Sequence, residues 1–126
     1  MPTSFCVGQA IIGKIPFPDG TFPEYDRPYL IVGVDGEYVE VLTVSTIKGK
    51  EWKLSLPENR EIIKHDPPFP KSSFVKLDSL QRVHISNLSN VWISRNGGTL
   101  DKTELSEIIN MLKRSMKLVR LAITNM

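Results

Sequence analysis

Two dense runs of β-forming residues on either side of Asp35-Gly36 constrain this chain more than any other feature. Pro28 opens the first, Tyr29-Leu30-Ile31-Val32-Gly33-Val34, which is apolar on both faces and reads as a buried central strand. From Glu37 to Thr46 the pattern continues through Tyr38, Val39, Val41, Leu42 and Val44. Asp-Gly is a favoured two-residue hairpin turn, so a long antiparallel hairpin is the expected centre of the fold.

The flanking segments read as shorter elements. Ala10 to Phe17 alternates loosely as a strand and runs into a Pro/Gly-rich loop, Pro18 to Arg27, which holds Asp19, Glu24 and Asp26. Lys48, Gly49 and Lys50 form a basic loop before Trp52 to Leu56. The stretch from Pro57 to Lys71 contains four prolines and reads as irregular surface chain. A strand is expected from near Ser73, with Phe74, Val75, Leu77, Leu80, Val83 and Ile85 as its buried positions. Val91, Trp92 and Ile93 supply one more strand before the turn signal Asn96-Gly97-Gly98. Several short strands punctuated in this way point to a small β-barrel.

The tail changes period. Leu105, Ile108, Ile109, Leu112, Met116 and Val119 recur on one helical face, which predicts a helix from about Lys102 to Arg120. Asp101 is placed to cap it, Glu104 completes a capping-box pattern, and Leu100 with Leu105 forms a hydrophobic staple. Lys113, Arg114, Lys117 and Arg120 read as a solvated face near the negative end of the helix dipole.

At 126 residues the chain fits one domain, 1–126, and its 40% hydrophobic and 24% charged content suffices for a real core. A net charge of +2 neither demands nor excludes a nucleic-acid partner, so any RNA site must be a local patch. The lone Cys6 excludes an internal disulfide and suits a reducing compartment. The first residues form no secretory leader and no apolar stretch approaches the roughly 18 residues of a membrane span, so the chain is expected in the cytoplasm with no membrane partner.

His65-Asp66 and His84 hold the chain's histidines, and neighbouring strand residues point to opposite faces, which disfavours a shared metal. No nucleophile elbow, phosphate-cradling glycine loop or Cys-His pair stands out, so no cofactor is expected. What remains is Arg27 in Glu24-Tyr25-Asp26-Arg27-Pro28, and the hydroxyls Thr43, Ser45 and Thr46 at the far end of the hairpin. A rigid cationic fork beside hydroxyls suits RNA cleavage, where the substrate's own 2′-hydroxyl attacks the neighbouring phosphate and the protein orients groups and stabilises charge. An ion pair of Arg27 with Asp26 or Glu24 that merely holds a loop is the plainer reading, and pattern alone leaves both open.

At these residues the chain resembles the MazF/PemK toxins of type II toxin-antitoxin systems, nearly end to end. The segments that carry the resemblance are Ile15-Pro16-Phe17-Pro18-Asp19-Gly20, then Arg27-Pro28-Tyr29-Leu30-Ile31-Val32, then Val44-Ser45-Thr46, Ser73-Phe74-Val75-Lys76-Leu77-Asp78 and Gly98-Thr99-Leu100 before the helix. The chain departs from that family at Gly8-Gln9, where Gly-Asp is usual, and in a longer stretch from Asn87 to Gly98.

The resemblance implies a mainly β, SH3-like small barrel of the CcdB/MazF type with a C-terminal helix, and a homodimer. It implies a metal-independent endoribonuclease that cuts single-stranded mRNA at short motifs and is neutralised by a cognate antitoxin; DNA binding by the chain itself is not expected. It carries the roles of stabilising the phosphate and protonating the leaving oxygen to Arg27, and the hydroxyl role to Ser45 or Thr46. RNA contacts are expected from Asp19, Glu24, Lys48, Lys50 and Lys53, with Trp52 available for base stacking or, as plausibly, core filling. The contrasting reading is a non-catalytic SH3-like barrel, a decayed homologue that binds a peptide or protein partner in the same groove. A third is a barrel that tracks RNA without cutting it.

Overall fold

The computed structural model describes residues 5–17, 19–94 and 98–124, with backbone alone for 115–124. Pro18, the Asn96-Gly97 turn signal and the side chains of Met116, Lys117, Val119 and Arg120 lie outside the described residues. In chain order the strands are β1 (Ala10–Gly13), β2 (Arg27–Asp35), β3 (Tyr38–Thr46), β4 (Asn59–Ile62), β5 (Ser73–Lys76), β6 (Gln81–His84) and β7 (Val91–Ile93), followed by helix α1 (Lys102–Thr124). Short 3-10 turns occupy Glu51–Ser55, Leu77–Ser79 and Ile85–Asn87. The strands make one antiparallel sheet in the order β4-β5-β3-β2-β1-β7, with β6 also on β3.

The central hairpin is buried on both faces, as its composition requires. Leu30, Leu42 and Val44 pack with Ile62, Val75, Leu100, Ile108 and Leu112 beneath α1. Tyr29, Ile31, Val39 and Val41 pack on the opposite side with Ile11, Ile15, Val83 and Leu88. The turn sits one residue later than the Asp-Gly signal implies. Asp35 pairs with Tyr38, and Gly36 at φ +59° takes the first central position, where a type II′ turn requires glycine.

Two further expectations are corrected. The stretch from Pro57 to Lys71 contains β4, because Pro57 and Pro67 bracket rather than interrupt the residues that pair with β5, and Ile62 is fully buried there. The single strand expected after Ser73 is two, β5 and β6, split by the 3-10 turn Leu77–Ser79. The split lets β3 change partners along one edge: Tyr38 to Val41 pair with β6, and Val44 to Thr46 with β5.

At that changeover the Thr43 amide has no strand opposite it on this edge. The Ser79 hydroxyl fills the gap, accepting from Thr43 N at 2.8 Å while donating to the Lys76 carbonyl at 2.6 Å. Removing it orphans a half-buried amide, so Ser79→Ala is expected to lower the unfolding free energy by roughly 1–3 kcal/mol in a urea titration.

Helix α1 runs four residues beyond the predicted end at Arg120. Asp101 Oδ2 accepts from the Thr103 and Glu104 amides, both at 3.1 Å, so the expected cap is present. The capping box is only half formed. Glu104, nearly fully buried, turns away from Asp101: Oε1 accepts from Lys64 N at 2.7 Å, and Oε2 lies 2.9 Å from Arg60 Nη2 in an ion pair not aligned as a hydrogen bond. Burial alone would raise the Glu104 pKa, but the Lys64 amide and the Arg60 guanidinium outweigh it and hold the carboxyl below its usual range. The residue that reads as a cap in sequence thus clamps the helix to β4. Among the described residues no helix is long and apolar enough to cross a membrane.

Candidate functional site

Antiparallel pairing brings the start of β2 beside the end of β3. Tyr29 pairs with Thr43, so Arg27 and Ser45, each two residues further along the ladder, share one face at its end. Ser45 pairs on its other side with Phe74 of β5, and Lys76, two residues on, lies on that same face.

The turn after β3 folds back over this face. Gly49 at φ +79° occupies a position that strains other residues, and Lys50 N closes the turn on the Ile47 carbonyl at 2.7 Å. The returning Lys50 Nζ donates to Ser45 Oγ at 3.0 Å. The following 3-10 turn carries Lys53, whose carbonyl accepts from Asn59 Nδ2 at 3.0 Å, and Asn59 pairs with Lys76. Local turns and strand register therefore converge on one spot.

Three further cations lie within electrostatic range of Lys76 there. Burial holds the Lys76 ammonium below the usual lysine pKa, and the like charges of Lys53, Arg27 and Lys50 lower it further. Asp78 is the carboxylate that opposes this shift. Arg27 is half-buried and its Nε is fully shielded from solvent without a hydrogen-bond partner among the described residues. Neither Asp26 nor Glu24 forms an ion pair with it there, so the loop-holding pair is not what Arg27 does. Its guanidinium lies 5.7 Å from the Tyr25 ring centroid instead.

A shielded, unpaired donor costs roughly 1–3 kcal/mol, and clustered like charges add repulsion. An anion with several oxygens relieves the repulsion: a guanidinium fork, ammonium groups and a hydroxyl suit a phosphate. The rim supplies exposed rings on both sides, Tyr25 at 64% and Trp52 at 65% exposure, so Trp52 is not core filler. Lys53 Nζ lies 5.5 Å from the Trp52 ring centroid.

The remaining candidates divide. Thr46 is separated from Ser45 by the strand alternation and lines a different cavity of about 100 Å³ with Ala10, Ile12, Pro28 and Phe69, so of these two hydroxyls it is Ser45 that shares the face of Arg27. Lys48 is an exposed turn residue. Asp19 accepts from both the amide (2.9 Å) and the hydroxyl (2.6 Å) of Thr21; that hydroxyl is the main cause of its lowered pKa, and its place is in the loop. Glu24 is exposed in the same loop, next to Tyr25. The histidines are engaged elsewhere, His65 with the Phe69 carbonyl at 2.7 Å and His84 with Glu37 at 3.0 Å.

Sequence reasoning gave no role to Lys76 and Asp78. Period-two spacing puts Lys76 on the face of Phe74, but only the β3–β5 register brings that face to Ser45. No protein-family model and no curated protein sequence matches the chain.

Proposed function

We propose that this chain is a metal-independent endoribonuclease of the MazF/PemK toxin type acting on single-stranded RNA. The observation that carries the reading is the sheet face shared by Arg27, Ser45 and Lys76, with Lys50 Nζ donating to the Ser45 hydroxyl over it. In this reaction the substrate 2′-oxygen attacks the adjacent phosphorus, the bond to the 5′-oxygen breaks, and a 2′,3′-cyclic phosphate forms. Arg27 and Lys50 hold the non-bridging oxygens as negative charge grows, and Ser45 orients one of them. Lys76, whose pKa is lowered, gives its proton to the departing 5′-oxygen. Asp78, the carboxylate that Lys76 senses, accepts the proton of the 2′-hydroxyl. Tyr25 and Trp52 offer surfaces for flanking bases.

The proposal includes closure of the sheet into an SH3-like barrel, in keeping with the way β3 shares one edge between β5 and β6. It also includes a homodimer, which light scattering tests, and an antitoxin whose extended tail covers the cationic face. Co-purification of the chain with the product of an adjacent small reading frame tests the latter.

Lys76→Met separates chemistry from stability. The folded pKa of Lys76 lies below the usual 10.5, so the folded chain binds fewer protons than the unfolded one, and stability rises as pH climbs through that window. Replacing a disfavoured charge by an apolar chain is expected to raise the melting temperature at neutral pH while cleavage falls by about 10²–10⁴-fold. In a second arm, Lys50→Met removes a like charge, so the Lys76 pKa rises and the alkaline limb of the remaining activity moves to higher pH. An unchanged limb argues against Lys76 as the proton donor.

A further inference from the structure

A groove of about 460 Å³ runs along the edge of β6 that is unpaired among the described residues, between that strand and the Pro16-Phe17 segment. Gln81 Nε2 donates to the Pro16 carbonyl at 2.5 Å, which fixes the wall and leaves the carboxamide oxygen to accept from a ligand. Phe17 at 43% and Tyr38 at 41% exposure present rings to it. The Arg82 guanidinium covers Tyr38 at 4.6 Å from the ring centroid, and the His84 ring meets Tyr38 edge-on at 5.1 Å.

Both basic groups here are matched by carboxylates, Arg82 by Asp35 at 3.1 Å and His84 by Glu37 at 3.0 Å. The groove therefore lacks the unpaired positive charge that marks the Arg27 cluster, and its chemistry is aromatic with a hydrogen-bonding amide. It is continuous with that cluster through the chain: Lys76 leads directly into the 3-10 turn Leu77–Ser79, and Leu80 begins the groove wall.

We infer that the Phe17–Tyr38–Gln81 groove is a nucleobase subsite, taking the base of a nucleotide that flanks the phosphate held at Arg27. Rings stack on a base of any sequence, and the Gln81 oxygen favours one that presents an N–H to it. This rests on the reading of the Arg27 cluster as an RNA phosphate site.

The probe is a single-stranded 2′-O-methyl RNA of about 12 nucleotides, within the usual range of single-strand site sizes, carrying 5-iodouridine at scanned positions. Its blocked 2′-oxygens prevent cleavage, so binding is read apart from catalysis. The expected result is photo-crosslinking of the wild-type chain at Phe17 or Tyr38, and about tenfold weaker binding in each of Phe17→Leu and Tyr38→Leu, with Phe17→Trp retaining affinity. Crosslinking on the unaltered protein keeps the test valid should a variant fold poorly. Binding that depends on Lys50 but crosslinks elsewhere and ignores both leucine variants overturns the subsite while leaving the cationic site standing. No binding at all overturns the phosphate-site reading itself.

Discussion

Arg27→Ala is expected to slow cleavage of single-stranded RNA by about 10²–10³-fold under single-turnover conditions, the usual cost of deleting one preorganised donor to a developing oxyanion. The same change is expected to leave the fold intact. Arg27 makes no ion pair among the described residues, its Nε is shielded without a partner, and its charge stands against that of Lys76. Removing it relieves an unsatisfied donor and a like-charge repulsion, so the denaturant midpoint should hold or rise. Arg27→Lys tests the geometry: it keeps the charge but loses the planar fork, and is expected to recover only part of the rate. An Arg27→Ala protein that cuts at the wild-type rate removes the phosphate role from this side chain. One that unfolds shows that Arg27 serves the fold instead.

The second large effect lies beneath the site. Phe74 is fully buried, and it pairs with Ser45 across β3 and β5. Phe74→Ala is expected to cost about 3–5 kcal/mol in equilibrium unfolding, from lost burial and the cavity left behind. That is a large share of the roughly 5–15 kcal/mol that holds a typical domain together. Phe74→Leu refills most of the volume and should cost far less. Because Ser45 rests on this ring's face of the sheet, Phe74→Leu is also expected to weaken cleavage more than it weakens the fold. Equal losses in both would mean that Phe74 acts on the site through stability alone.

How much of this was legible before folding differs from element to element. The β2–β3 hairpin was plain, because Tyr29 to Val34 and Tyr38 to Val44 carry more apolar residues than a half-exposed strand needs. Helix α1 was equally plain from the spacing of Leu105, Ile108 and Leu112. β4 was hidden because the prolines around it are as common in surface chain as at strand ends, and only pairing with β5 separates the two cases. Glu104 illustrates the same limit: its position three residues after Asp101 signals a cap, whereas its partners Lys64 and Arg60 come from a strand region some forty residues earlier.

The site was visible in part. Arg27-Pro28 at a strand entrance and hydroxyls at a strand exit are local signals, and a hairpin of known register brings Arg27 and Ser45 to one face. Choosing Ser45 over Thr46 requires that register, since a shift of one residue exchanges the faces. Lys76 and Asp78 depend on a second, non-local register between β3 and β5, which no spacing within either segment encodes. The clustering of Lys50 and Lys53 with them follows from the Gly49 turn and the 3-10 turn after it, where a basic loop in sequence has no fixed direction.

The most direct measurement is the chemistry of the RNA ends. Purified chain is incubated with a single-stranded RNA in excess chelator, and the fragments are analysed by mass spectrometry. A site made of Arg27, Ser45, Lys50, Lys76 and Asp78 predicts chelator-resistant cleavage that leaves a 2′,3′-cyclic phosphate on one fragment and a free 5′-hydroxyl on the other. Intact RNA, or fragments bearing a 5′-phosphate, would contradict it.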